Sequence, residues 1–147
     1  ELLRDLGGAL CHLHNQSVLV GGLTVESMGR LSGGRVLLTD LGAARWLVGV
    51  LRQDEAQLVP SRYTAPELIE GDGRSVGFRA DLYSLGVCAL EAASGQPARR
   101  ARQTGAIDVE GLAAGLSPTL QKILRRLLEV DPRRRISSAQ ALLEELG

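Results

Sequence analysis

The chain has 147 residues, enough for a single domain with a real hydrophobic core. Its 17 basic and 17 acidic residues cancel, which argues against a nucleic-acid or anionic-membrane surface as its main business. Two cysteines, both in apolar helical settings, make neither a disulfide framework nor a metal site, and no signal peptide or membrane-spanning run is present. No nucleic-acid or membrane partner is therefore expected, and the cytoplasm is the expected location.

Taken in order, Leu2, Leu3, Leu6, Ala9, Leu10 and Leu13 recur at helical spacing and predict an amphipathic helix reaching about Asn15. Because the chain opens at Glu1, already inside that helix, it is expected to be excised from something longer. Val18-Leu19-Val20 follows as a short β-branched run, halted by Gly21-Gly22. Met28 to Leu31 and Arg35 to Leu38 flank Ser32-Gly33-Gly34 and predict a small hairpin, closed by Asp40-Leu41-Gly42. Residues 43–62 show no sustained period and read as a long surface loop. Tyr63 to Leu68 leads into one helical turn, and a Gly-rich loop runs from Gly71 to Gly77.

Ala80 to Gly95 is the stretch around which the rest is organised. Between its ends it carries only two charges, Asp81 and Glu91, and Leu82, Leu85, Val87, Cys88, Leu90 and its alanines leave it no clear polar face. A helix apolar nearly all round belongs in the interior, and Gly95 suits the left-handed position that stops it. Asp81, at its start, has two natural roles: favouring the helix dipole, or accepting backbone hydrogen bonds from a neighbouring loop.

Gln96 to Ala106 is Arg-rich and poorly patterned; Arg99, Arg100 and Arg102 read as a solvated loop more readily than as a phosphate or partner patch. Ser117 as N-cap with Pro118 at the first helical position starts a helix with Leu120, Ile123, Leu124, Leu127 and Leu128 along one face, stopped by Asp131-Pro132. Ser137 with Gln140 three residues later predicts a capping box for a final helix ending near Leu146. The expected fold is α+β, mainly α, with a small β-hairpin and a buried central helix, in one unit over residues 1–147.

Leu13-His14, Thr39-Asp40-Leu41-Gly42, Ala65-Pro66-Glu67, Asp81-Leu82-Tyr83-Ser84-Leu85-Gly86 and Asp131-Pro132-Arg133-Arg134-Arg135 stand in this order. Together they resemble the motifs of the C-terminal lobe of a protein kinase, over essentially the whole chain. In that family the catalytic loop reads H-R-D-L-K-P-x-N, three residues beyond Leu-His and a short apolar step. Counting on from His14 sets it against Val20 to Ser27. The proton-accepting Asp then falls on Gly22, the Lys that steadies the transferred phosphoryl group on Thr24, and the metal-binding Asn on Ser27. Phosphoryl transfer needs a positioned base and cations to hold charge on the equatorial oxygens, and these three supply none of it. Losing such groups together suppresses turnover by many orders of magnitude. Gly21 also replaces the Arg that receives an activation-loop phosphate, and residues 42–60 contain no Ser, Thr or Tyr to carry one.

What the resemblance implies is kept is architecture. Asp81 matches the acid that accepts N–H bonds from the catalytic loop, and Glu67 and Arg135 match the family's buried ion pair. Asp40 matches the magnesium-binding Asp and is the one candidate metal ligand, without its Asn partner. His14 is read as a helix-end packing residue. The N-terminal lobe, with its Gly-rich loop and strand Lys, is absent from this chain, so ATP and magnesium are expected only if that lobe lies upstream of Glu1. The expected function is a pseudokinase-type interaction or regulatory module binding a protein partner or another domain of its own chain. The alternative is a divergent ATP-dependent Ser/Thr protein kinase. Val20, Met28 and Leu41 are the expected apolar surface facing such a lobe or partner.

Overall fold

The computed structural model describes residues 1–39, 61–70, 77–101 and 104–147. Asp40 to Gly42, the loop to residue 60, most of the Gly-rich loop after Glu70, and Arg102 lie outside the described residues. The described elements are α1 (Leu2–Asn15), a one-turn 3-10 helix (Val25–Ser27), β1 (Met28–Arg30), β2 (Val36–Leu38), α2 (Pro66–Glu70), α3 (Phe78–Ser94), α4 (Val109–Ala113), α5 (Pro118–Leu127) and α6 (Ala139–Leu146). The fold is that of a kinase-like C-terminal lobe, mainly helical with one small hairpin.

α3 is the hub. Its residues Ala80 through Leu90 are all buried, as a helix without a polar face requires. Around it pack α1 through Leu3, Leu6 and Leu10, and α5 through Ile123, Leu124 and Leu127, while α6 lies on the far side of α1, with Leu142 and Leu143 against Gly7. Two glycines shape it. At Gly86 an added Cβ would lie 2.8 Å from the Leu127 Cβ, so only a bare α-carbon lets α3 and α5 approach this closely. Gly95 takes φ 69°, and its N–H closes onto the Glu91 carbonyl at 2.9 Å, ending the helix where its sequence implied.

The hairpin pairs Met28 with Leu38, Gly29 with Leu37 and Arg30 with Val36. It is moored to α1 by the Asp5 carboxylate, which accepts the Val36 N–H at 2.9 Å.

The β-branched run Val18 to Val20 forms no strand, and its Val20 N–H is taken by the Asp81 side chain. Local expectations shift near the end of the chain. α5 ends at Leu127 and does not run on to Asp131-Pro132, and the Glu129 and Val130 carbonyls beyond it accept from Arg135. The cap of α6 is Ser138, whose hydroxyl accepts the Ala141 N–H at 3.1 Å; Ser137 instead turns its carbonyl to Arg79. α4 was not legible: five residues make too short a pattern, although Asp108 caps it by accepting the Gly111 N–H.

Candidate functional site

The site grows from the first turn of α3. Asp81 is 1% exposed, and its carboxylate gathers three donors. Oδ2 accepts from the Val20 N–H at 2.9 Å, Oδ1 from the Gly21 N–H at 2.8 Å, and Oδ2 again from His14 Nε2 at 2.9 Å. Gly21 has φ 72°, a left-handed conformation in which glycine avoids the Cβ penalty, and this aims two successive N–H groups at one carboxylate. The arrangement is the second of the two roles open to Asp81, acceptor for a loop.

His14 does more than pack. It stacks on Phe78 with ring centroids 4.5 Å apart and joins the end of α1 to the start of α3 through Asp81. Its Nδ1 is buried with no hydrogen-bond partner among the described residues. Sequence reasoning missed the link, because the partner lies 67 residues on.

Gly22 follows the residues that this carboxylate holds, Thr24 caps the one-turn 3-10 helix that Ser27 ends, and Leu23 is buried between Gly22 and Thr24. The Ser27 hydroxyl accepts the Thr24 N–H at 3.3 Å and lies 3.2 Å from the Thr24 hydroxyl. The Ser27 N–H returns to the Thr24 carbonyl at 3.0 Å. The two hydroxyls thus serve the turn itself. Glu26, fully exposed, has its carboxyl held below the usual range, first by its own backbone N–H and then by the Thr24 hydroxyl. A carboxylate so stabilised is a weaker base than an unperturbed one. Among the described residues no group of three His, Cys, Asp or Glu side chains could hold a metal ion.

The second anchor joins α2 to the turn before α6. Arg135 Nη1 and Nη2 donate to the two oxygens of Glu67 at 2.8 and 3.0 Å, a bidentate pair with the arginine side chain fully buried. Its remaining donors reach the Glu129 carbonyl at 2.9 and 3.1 Å and the Arg79 carbonyl at 2.7 Å. The guanidinium also lies 5.0 Å from the centre of the Tyr83 ring.

A third cluster went unread in the sequence. Glu91, near the end of α3, accepts from the Tyr63 hydroxyl at 2.7 Å, Arg62 Nε at 2.7 Å and the Ala98 N–H at 2.8 Å. Burial pushes this carboxyl up, but the donors outweigh burial and hold it below its ordinary value. Burial and the Glu91 charge push the Tyr63 hydroxyl well above the usual tyrosine range. Ser84 donates to the Tyr63 carbonyl at 2.8 Å, so residues 62–63 are held to α3 from two sides. Cys88, buried within α3, has its thiol pushed up to about 12 by burial, which makes it inert.

Of the arginine run, Arg99 is exposed, whereas Arg100 is partly buried with its guanidinium 5.3 Å from the Tyr83 ring centre, a packing role. The expected apolar surface is corrected at Val20, which is 1% exposed and belongs to the core; Met28 is half-buried, and Leu41 lies outside the described residues. Among the described residues, Val25, Leu31, Leu37, Ile69 and Phe78 are the large apolar side chains that face solvent. Among the described residues no helix is long and apolar enough to cross a membrane.

Comparison with known proteins agrees with this geometry. The protein kinase domain family model matches residues 1–146. Serine/threonine-protein kinase AtPK1/AtPK6 of Arabidopsis thaliana is 29% identical over 147 residues, covering 97% of this chain and 31% of that protein. Human mitogen-activated protein kinase kinase kinase 6 is 34% identical over 153 residues, covering 97% and 12%. Serine/threonine-protein kinase PknJ of Mycobacterium tuberculosis is 30% identical over 155 residues, covering 94% and 26%. The chain therefore spans less than a third of the length of these relatives. Among solved structures, the PpkA-294 apo form shares the fold at a TM-score of 0.76 and 23% identity, covering 99% of this chain and 52% of that one.

Proposed function

The chain belongs to the protein kinase domain family, and from that premise we propose that it is a pseudokinase-type C-terminal lobe, an interaction or regulatory module with little or no phosphotransfer. The observation that carries the reading is the hold of Asp81 on the Val20 and Gly21 N–H groups. It supports the register in which the next residue, Gly22, stands at the catalytic Asp position, with Thr24 and Ser27 at those of the Lys and the metal-binding Asn. Gly22 has no side chain to accept a proton, and the Thr24 and Ser27 hydroxyls are engaged with each other. The anchors around them are intact, so the lobe keeps a shape that a protein partner or another domain of the same chain recognises.

The relatives are named as Ser/Thr kinases, and this favours Ser/Thr substrates for the second reading, a divergent active kinase using Asp40. In that reading ATP and magnesium would bind with the help of an N-terminal lobe. The parent protein separates the two readings, since only the second expects phosphate incorporation that Asp40→Ala abolishes, and Gly22→Asp tests how far the loss extends. If three groups are missing, restoring the acid alone leaves phosphate incorporation at the no-enzyme level, because Thr24 and Ser27 remain. Incorporation that rises with this single change would overturn the assignment of Thr24 and Ser27 as further losses.

A further inference from the structure

We draw no further inference here: the strongest candidate, the apolar groove of about 270 Å³ between α1, α3, α5 and α6 that Leu2, Leu3, Ala89, Ala93, Leu120 and Leu146 line, is an unpartnered face with nothing in the structure to show what covers it.

Discussion

At the scale of single residues, buried charges do the positioning. Asp81 and Arg135 sit in the interior, each bonded to several buried partners, and each is costly to remove because those partners stay behind. Asp81→Ala strands two N–H groups and His14, an expected loss of about 1–3 kcal/mol. Arg135→Ala leaves Glu67 as an unpaired, mostly buried carboxylate and is expected to cost more, about 3–5 kcal/mol. Urea melts measure both, and curves matching the parent would remove these residues from the account. Glu91 adds a pH dependence. Its folded-state carboxyl is held below the ordinary value, so its contribution is complete above the unfolded pKa of about 4.3 and is lost as pH falls through the folded one. Glu91→Gln is therefore expected to destabilise at pH 7 and to differ progressively less from the parent on acidification below about pH 5. Parallel acid limbs would contradict it. Asp81, Glu67 and Arg135 were legible from motif positions, whereas the roles of His14 and Glu91 were not. Their partners lie 67 and 28 residues away, and no local pattern marks them.

At the scale of elements, legibility followed the length of the pattern. α3 could be read because its apolar residues exclude a wet face and Gly95 marks its end, and α1 because its leucines recur over three turns. The start of α6 lies one residue later than the sequence implies because Ser137 and Ser138 are adjacent, both can cap, and it is the Ser138 hydroxyl that accepts the Ala141 N–H. Gly86 tests the packing of α3 against α5. In a helix interior, Gly→Ala alone gains about 0.5–1 kcal/mol. Here the new methyl meets the Leu127 Cβ, an atom fixed to the backbone of α5, and overpacking of about 1–3 kcal/mol outweighs that gain. Gly86→Ala is expected to lower the melting temperature, and an increase would show that α5 yields easily.

At the scale of the whole molecule, the three anchors tie distant segments to one hub. Asp81 brings in α1 and the loop at residues 20–21, Arg135 joins α2 to the turn before α6, and Glu91 holds residues 62–63 and 98. None of these ties needs the side chains that phosphoryl transfer requires, so the lobe can keep its shape while the proposed chemistry is lost. The most direct measurement is magnesium-dependent transfer of radiolabelled phosphate to protein by the full-length natural protein, run beside its Asp40→Ala variant. The account predicts that both remain at the no-enzyme level. Incorporation that requires magnesium and disappears in Asp40→Ala would contradict it.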